Sequence, residues 1–244
     1  MFRMFAKGLS LFSPSGYDLV IITDSDTQKE IAKIRDLKKL TGKVDYLIVN
    51  KDVDLHQALL RKFDIFKYDK IMDYEKVMYL DCDIVVQDDL CKMFRSVRTK
   101  TGRLYAPAEG TIDGKYWGLD AYRKEDYITL KKKGVKSFNS GTFMFVPDQD
   151  MKDHFMAAKR FALSYDRRHF YDQSFFNYYF NMKRLSATQG ITRYVQLFPD
   201  TTQIYPDKII LHVAGIARYK KKTKMMRDYI ALIKSHKDGV TASE

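Results

Sequence analysis

The sequence predicts an α/β protein, and three observations carry this prediction. Short apolar runs with the length of strands recur along the chain of 244 residues, and segments with helical spacing separate the early runs. The later runs lie nearer to loops and glycines. Alternating strands and helices favour parallel βαβ units in the first half, whereas the loop-rich second half favours a mixed sheet.

Six runs have the apolar, β-branched or aromatic composition that is typical of strands. They span residues 19–23, 46–49, 77–80, 104–106, 142–146 and 209–211. Two segments with helical spacing, residues 26–40 and 52–72, separate the first three strands. The first segment carries one apolar face, and Asp26 or Thr27 is its predicted N-cap. That face consists of Ile31, Ile34, Leu37 and Leu40.

The whole chain, residues 1–244, is predicted to form a single domain, because no repeat, low-complexity linker or clear boundary interrupts it. Residues 220–244 are its predicted basic C-terminal helix, with a frayed end. Cys82 and Cys91 are the only cysteines, which argues against a disulfide framework. Since no signal peptide or bilayer-spanning apolar run is visible, we expect a soluble, cytoplasmic protein.

The charge of the chain is strongly basic, with 43 Lys and Arg against 31 Asp and Glu and a formal net charge of +12. Such a surface favours polyanions, phosphorylated ligands or weak association with anionic surfaces, and a basic surface without a dedicated partner is the alternative. The lysine runs at residues 131–133 and 220–222 carry no nucleic-acid-binding signature beyond their charge. We therefore expect no specific nucleic acid partner.

Two aspartates directly follow the predicted strand 77–80. In an extended segment Asp81 and Asp83 share one face, and Cys82 turns to the other, towards the core, so Cys82 is not expected to be catalytic. Ligands of open α/β sheets bind beyond the carboxyl ends of the strands. Two carboxylates there suit Mg²⁺ or Mn²⁺ with a phosphorylated substrate, although a solvated acidic turn is the alternative explanation.

Three further motifs lie downstream, and each has a simple structural explanation when it is taken alone. They are the turn Asn139-Ser140-Gly141, the pair Asp172-Gln173 at the start of an aromatic helical stretch, and the segment from His212 through Gly215 to Arg218. Alone, they would be a tight turn, a helix cap and a hydrogen-bonded structural histidine.

Together and in this order, the four motifs resemble those of the glycogenin-like retaining glycosyltransferases of family 8. That family has a DxD after a YLD-type strand, then an FNSG turn, a DQ helix start and HxxGxxK. The resemblance extends from Phe5 to about Tyr219. It implies the GT-A fold, with a Rossmann-like mixed sheet flanked by helices.

The resemblance also implies roles for individual residues. Asp81, Asp83 and His212 would coordinate Mn²⁺ or Mg²⁺ on the diphosphate of a UDP-sugar, within a donor-binding segment that includes Cys82. Gly215 and Arg218 would contact the diphosphate. The donor sugar would meet two groups of residues. The first, which lines the pocket, is Asn139, Ser140 and Gly141; the second, near the anomeric carbon, is Asp172 and Gln173. A basic residue upstream of the DxD would also reach the donor, and Lys62 is our choice, with Arg61 as the alternative.

The implied function is metal-dependent, retaining transfer of glucose or galactose from a UDP-sugar to an unknown glycan, protein or polyol acceptor. No protein nucleophile is needed if UDP itself assists the incoming acceptor. Three alternatives stay open: a catalytically degenerate GT-A-fold binding protein, a basic nucleic-acid-binding protein and a nucleotidyltransferase of related fold. The last is the least favoured, because its usual glycine-rich N-terminal loop is absent.

Several positions depart from the family pattern. The family strand that precedes the segment at residues 4–8 and contacts uracil would lie before the first residue of the given sequence, so an upstream start, a shortened chain and a true loss of the strand all stay open. Arg218 stands where the family has a lysine, and residues 219–220 stand where the family often has Pro-Trp. The nearest match to the family's Tyr-Asn pair is residues 194–195, which lack the amide. In the chain as given, without this strand, the edge of strand 19–23 would be exposed and the uracil contacts would be missing. We therefore expect the chain as given to bind UDP weakly and with poor selectivity, and to self-associate, for example as a homodimer.

Overall fold

A computed structural model describes residues 1–51, 55–112, 123–164, 171–215 and 218–241. The chain divides into two compact units. The first unit comprises Met1–Tyr46, Asp81–Val97 and Arg193–Glu244, and the second unit comprises Leu47–Leu80 and Arg98–Thr192. The single domain over residues 1–244 stays a prediction.

The described residues form α-helices, strands and short 3₁₀ helices. The helices are α1 (Phe2–Phe12), α2 (Ser25–Ile31), α3 (Leu55–Leu60), α4 (Leu90–Ser96), α5 (Lys124–Lys132), α6 (Gln149–Leu163), α7 (Tyr171–Met182) and α8 (Tyr219–Thr241). The strands are β1 (Leu19–Thr23), β2 (Val44–Ile48), β3 (Val77–Leu80), β4 (Ile84–Val86), β5 (Leu104–Tyr105), β6 (Ala108–Thr111), β7 (Lys136–Phe138), β8 (Thr142–Phe145), β9 (Ser186–Ala187), β10 (Val195–Leu197) and β11 (Ile210–His212). Short 3₁₀ helices span Arg35–Lys39, Arg61–Lys67, Ile71–Asp73 and Thr192–Tyr194.

The first predicted helical segment, residues 26–40, is two elements rather than one. Helix α2 ends at Ile31, and the 3₁₀ helix Arg35–Lys39 follows. The prediction of Asp26 or Thr27 as N-cap is wrong, because the side chain of Asp24 accepts hydrogen bonds from the backbone N–H groups of both residues. Ile31, Ile34 and Leu37 of the predicted apolar face are nevertheless buried in one cluster with Ala6 and Ile21, and Leu40 is partly buried against it. A 3₁₀ helix also returns side chains to the same side.

The second predicted helical segment, residues 52–72, is also broken. It contains α3 and two 3₁₀ helices, while residues 52–54 lie outside the described residues. The basic C-terminal segment is helical as predicted, from Tyr219 to Thr241.

In the first unit, the central sheet has the strand order β10-β11-β4. Strand β10 pairs parallel with β11, and β11 pairs antiparallel with β4. Helix α1 packs against β4 so closely that a Cβ added at Gly8 would lie 3.0 Å from the carbonyl oxygen of Val86. Helix α8 also buries side chains in this unit, and they are Met226, Tyr229, Ile230 and Ile233. These contacts fix the sheet and the body of α8 in the first unit.

In the second unit, a four-stranded sheet has the order β3-β8-β5-β9, and β6 pairs antiparallel with β7. Strand β3 pairs antiparallel with β8, whereas β5 pairs parallel with β9. The expectation that β3 completes a parallel βαβ unit is therefore wrong, but the mixed sheet is confirmed. An aromatic core joins the sheet to α6 and α7, and its rings are Phe143, Phe145, Phe155, Phe176 and Phe180.

The two units together have mixed sheets flanked by helices, as the α/β fold class requires. Among the ranges of the chain that are described, no helix has both the length and the apolar character needed to cross a membrane.

Candidate active site

The first group of predicted site residues lies where β4 and β11 pair in the first unit. Cys82 and Asp83 form a turn that leads into β4, and His212 is the last residue of β11. The antiparallel register places His212 opposite Ile84, and the backbone N–H of Val213 donates to the carbonyl oxygen of Asp83 at 3.1 Å. Strand pairing thus brings a histidine next to an aspartate that lies 129 residues earlier in the chain.

Asp81, Asp83 and His212 together form a cluster whose potential metal-ligating atoms all lie within 4.8 Å of one another. Asp83 and His212 are 8% and 3% exposed, and Asp81 is half-buried. The Nε2 atom of His212 lies 3.1 Å from Oδ1 of Asp83. The Nζ atom of Lys222, which no sequence motif predicts, donates to Oδ2 of the same carboxylate at 2.6 Å.

The Asp83 carboxyl group has a strongly perturbed pKa. Desolvation by burial acts to raise this pKa, but the hydrogen bond with His212 and the hydrogen bond and positive charge of Lys222 hold it well below its ordinary value. Asp83 is therefore a carboxylate anion at neutral pH, which is the form that binds cations.

The chemistry of this cluster fits a divalent metal ion. Carboxylate oxygens and imidazole are common ligands of Mn²⁺, and carboxylates also suit Mg²⁺. The Nδ1 atom of His212 is buried, and among the described residues it has no hydrogen-bond partner. A buried, unpaired ring nitrogen costs free energy unless some ligand binds it or the ring turns. The arrangement can thus hold a cation with two carboxylates and one imidazole.

Gly215 and Arg218 follow β11 in the chain. Gly215 has a φ of +69°, and a Cβ added there would lie 2.9 Å from the ring of Phe198, so the position favours glycine. Arg218 is exposed directly before α8, and residues 216–217 lie outside the described residues. An exposed guanidinium beside a helix N-terminus is suited to anion binding.

The side chain of Cys82 does not have the predicted orientation. The expectation of a side chain turned towards the core is wrong, because residues 82–83 form a turn rather than an extended segment, and Cys82 is exposed. Protein atoms around the sulfur still desolvate the thiol, and this desolvation, with the negative charges of Asp83 and Asp81, raises the pKa of Cys82 to about 11. The thiol is protonated at neutral pH and is a poor nucleophile.

The second group of predicted site residues forms a buried network in the second unit, around the turn between β7 and β8. Lys62 and Asp172 are 2% and 5% exposed, and Lys62 Nζ lies 2.8 Å from Oδ2 of Asp172. Lys62 also donates to the carbonyl oxygen of Ser140 at 3.1 Å, and Ser140 Oγ donates to Asp172 Oδ2 at 2.7 Å. A lysine, a serine and an aspartate thus form one closed triangle of polar contacts.

Lys62 and Arg61, the two basic candidates upstream of the DxD, have different partners. Both residues belong to the 3₁₀ helix Arg61–Lys67, in which residues three apart lie on the same side. Arg61 pairs with Asp64 at 3.3 Å and donates to the carbonyl oxygen of Asn50 at 2.9 Å. The side chain of Lys62 contacts Asp172 instead of Asp64. The role of Lys62 in binding a donor stays a prediction.

Gln173 and Asn139 extend the network to a carboxylate that sequence reasoning missed. Gln173 Oε1 accepts from the backbone N–H of Ser140 at 3.0 Å, and its Nε2 donates to Glu109 Oε2 at 2.9 Å. Asn139 Nδ2 donates to the same Glu109 oxygen at 2.9 Å, and Asn139 Oδ1 accepts from the N–H of Gly141 at 2.9 Å. Glu109, half-buried on β6, therefore orients both amide side chains.

Asn177 on α7 is a further residue that sequence reasoning missed. Its amide donates to the carbonyl oxygen of Phe138 at 2.7 Å and accepts from the N–H of Phe138 at 2.9 Å. This pair of hydrogen bonds fixes the end of β7 and so positions the turn that follows it. An isolated Asn within an aromatic helix was the only available signal, and it is a weak one.

Comparison with known proteins agrees with this geometry. The family model described as glycosyl transferase family 8 matches residues 7–190, a range that includes three of the four motifs and ends before His212. No curated protein sequence matches the chain.

Two solved structures show a similar fold. The bifunctional glycosyltransferase WbbM in its apo form matches with a TM-score of 0.61 and 14% identity, over 95% of this chain and 47% of that one. A glycosyltransferase involved in the glycosylation of the major capsid of PBCV-1 matches with a TM-score of 0.53 and 11% identity, over 86% of this chain and 98% of that one. The chain thus spans about half the length of WbbM, and at these identities the likeness concerns the fold alone.

Proposed function

This chain belongs to glycosyl transferase family 8, and from that membership we propose that it transfers glucose or galactose from a UDP-sugar with the help of a divalent metal ion. Family membership itself supports glycosyl transfer between a nucleotide-sugar donor and an acceptor. The nucleotide, the sugar and the metal are the proposal. The observation that carries it is the cluster of Asp81, Asp83 and His212, whose ligand atoms lie within 4.8 Å of one another.

The cluster of two aspartates and a histidine, with the residues that follow β11, would bind the diphosphate part of the donor. Asp81, Asp83 and His212 would hold Mn²⁺ or Mg²⁺, and such an ion would supply positive charge to a diphosphate leaving group. Gly215 would allow the backbone to approach a phosphate closely, because it carries no side chain. Arg218 would donate hydrogen bonds to phosphate oxygens and balance their charge.

The motif residues around the turn between β7 and β8 would bind the transferred sugar. Asn139, Ser140 and Gly141 form the turn that would line the sugar pocket, and Asp172 and Gln173 would hydrogen-bond its hydroxyl groups. The contacts of Lys62 and Glu109 support this proposal, because they hold Asp172 and the Gln173 amide in defined orientations before any sugar binds. Preorganised polar groups of this kind favour binding and orientation of a substrate.

The proposed reaction retains the configuration of the anomeric carbon. The bond from this carbon to the diphosphate oxygen breaks, and a bond to the acceptor oxygen forms on the same face of the sugar. The acceptor proton passes to the departing diphosphate, so no base or nucleophile of the protein is consumed. The protonated thiol of Cys82 fits this scheme, since it supplies neither function.

A donor panel tests the proposal. The purified chain is incubated with UDP-glucose, UDP-galactose, ADP-glucose and GDP-mannose, with Mn²⁺ or with EDTA, and nucleoside diphosphate release is measured. We expect release from a UDP-hexose with Mn²⁺ and loss of that release in EDTA. Release that is unaffected by EDTA would contradict the metal. Tight UDP binding without turnover on any donor or acceptor would favour the degenerate binding protein instead.

A further inference from the structure

Lys222 is a positively charged residue inside the candidate metal site. Its Nζ atom lies 2.6 Å from Oδ2 of Asp83, and the side chains of the two residues are 18% and 11% exposed. His212 Nε2 lies 3.1 Å from the other carboxylate oxygen. Side chains of the same unit thus contact both oxygens of Asp83, and one of these side chains carries a full positive charge.

The position of Lys222 in α8 lets its ammonium group move while the helix stays in place. Lys222 lies in the first turn of α8, and its backbone N–H donates to the carbonyl oxygen of Arg218 at 3.1 Å. It therefore lies one turn after Arg218, on the same side of the helix. The body of α8 is anchored by buried side chains such as Tyr229 and Ile230. A lysine has a flexible four-carbon stem, so its ammonium can move by several ångströms without moving the backbone.

A metal ion and the ammonium group would compete for Asp83. A buried carboxylate requires a compensating positive charge, and Lys222 provides one. A divalent ion bound to the same carboxylate would bring two more positive charges close to the ammonium, and like charges at such separations in a partly buried site repel strongly. The phosphate oxygens of a donor would then offer the ammonium a new anionic partner, because lysine binds phosphate as a point charge.

We propose that Lys222 is an exchangeable cation of this site: it neutralises Asp83 when no divalent ion is bound, leaves Asp83 when an ion binds, and then pairs with the donor diphosphate. This inference rests on the proposed metal-dependent function and deepens it. Lys222 is thereby a binding residue for the nucleotide that the family motifs do not include.

A purely structural ion pair makes the opposite prediction for metal affinity. If Lys222 only anchored the start of α8, its removal would loosen the site and would leave Mn²⁺ affinity unchanged or weaker. If Lys222 competes with the ion, its removal strengthens Mn²⁺ binding. The direction of the change in Mn²⁺ affinity therefore separates the two roles.

The test measures Mn²⁺ binding to the nucleotide-free chain by electron paramagnetic resonance of the free ion, followed by calorimetric titration with UDP at saturating Mn²⁺. The variants are Lys222→Met, Lys222→Arg and the control Lys221→Met, which removes the same charge from the neighbouring exposed position. Thermal unfolding of each variant shows whether it is folded. Both methionine variants preserve helix propensity, so the charge at one position is the main difference between them.

We expect Lys222→Met to bind Mn²⁺ about tenfold more tightly than the unaltered chain and to bind UDP about tenfold more weakly, each corresponding to one ion pair. We expect Lys222→Arg and Lys221→Met to stay within about threefold of the unaltered chain in both titrations.

Equal Mn²⁺ affinity of Lys222→Met and Lys221→Met would overturn the inference and leave the metal site intact. If no form of the chain, including Lys222→Met, binds Mn²⁺, both the inference and the metal dependence of the proposed function fail. If Lys222→Met is unfolded, tight Mn²⁺ binding by Lys222→Arg would overturn the inference, because the charge is retained there.

Discussion

The two clusters of candidate site residues differ in how their polar groups are satisfied. In the first unit, Asp83 is paired with a flexible lysine, and the buried Nδ1 atom of His212 has no partner among the described residues. In the second unit, Lys62, Ser140 and Asp172 pair with one another in a buried, closed triangle. The first cluster thus contains a buried ligand atom without a described partner, whereas the polar groups of the second cluster already hold one another in place.

This difference indicates two ways of preparing a binding site. A cation site must keep donor atoms available, so part of its stabilisation comes from a group that can leave. A site for neutral sugar hydroxyls binds more tightly when the orientation of its side chains is already fixed, because less conformational entropy is lost on binding. The comparison predicts that changes in the first cluster mainly affect cation-dependent activity, and that changes in the second mainly affect stability and orientation.

The largest expected effect is that of Asp83→Ala in the first cluster. Removing this carboxylate eliminates a proposed metal ligand and leaves Lys222 without its partner. We expect donor turnover to fall by at least about 10³-fold, in the range seen when a preorganised electrostatic group is removed. Turnover is measured as UDP release at saturating Mn²⁺.

The matched control is Asp88→Ala, which removes a surface carboxylate of the same unit that pairs with Lys92 at 2.6 Å. This variant should keep most of its turnover, because the lost ion pair is at the surface. Full activity of Asp83→Ala in the presence of EDTA would remove the metal assignment altogether.

Lys62→Met should have the largest effect on stability. This substitution leaves Asp172 buried without its cation, and loss of one partner from a buried pair costs about 3–5 kcal/mol in the free energy of unfolding. The measurement is urea denaturation at neutral pH. Arg61→Met, at the neighbouring position, should cost less than about 1 kcal/mol, because Asp64 retains two lysine partners. Similar losses of unfolding free energy in the two variants would show that the Lys62–Asp172 pair stabilises the fold no more than the Arg61–Asp64 pair does.

A smaller effect is expected for Glu109→Ala, because Glu109 orients the second cluster from its edge. Without this carboxylate, the amides of Asn139 and Gln173 lose a shared acceptor. We expect donor turnover to fall about ten- to a hundredfold, as for the loss of one charged hydrogen bond of about 1.5–3 kcal/mol. Glu109→Gln keeps a carbonyl acceptor and should recover most of the loss. Glu125→Ala, exposed on α5, is the control. If Glu109→Gln is as impaired as Glu109→Ala, the negative charge rather than the hydrogen bonding is required.

The smallest effect is expected for Cys82→Ala. The thiol is exposed at the edge of the first cluster, and its pKa of about 11 keeps it protonated at neutral pH. We expect turnover within about twofold of the unaltered chain and slow alkylation by iodoacetamide at pH 7.5. Rapid alkylation that abolishes turnover and is prevented by UDP would contradict this prediction.

Local sequence patterns predicted some elements well and others poorly. Strands β1 and β3 have the predicted bounds, because each is a short run of apolar and aromatic residues with clear ends. The segment 26–40 was predicted as one helix because apolar residues every three or four positions suit both α and 3₁₀ geometry. The N-cap prediction failed since Asp24, two residues earlier, offers the same capping chemistry.

The candidate site shows the same limit. Motif order brought Asp81, Asp83, His212, Asp172 and Asn139 to attention, and the structure gathers them into two clusters. Lys222 and Glu109 were missed because their partners are far away in sequence: Lys222 contacts Asp83 across 139 positions, and Glu109 contacts Gln173 across 64. A basic run and a single glutamate carry no local signal of such contacts, which arise only from strand pairing and helix packing.

The position of Mn²⁺ in crystals of the chain grown with Mn²⁺ and UDP, located by its anomalous scattering, tests the metal site and the exchange of Lys222 together. We expect one strong peak bonded to Asp81, Asp83 and His212 and to the diphosphate, with the Lys222 ammonium moved from Asp83 to a phosphate oxygen. A peak at another place, or bound UDP with Lys222 still paired to Asp83 and no metal between them, would contradict this expectation.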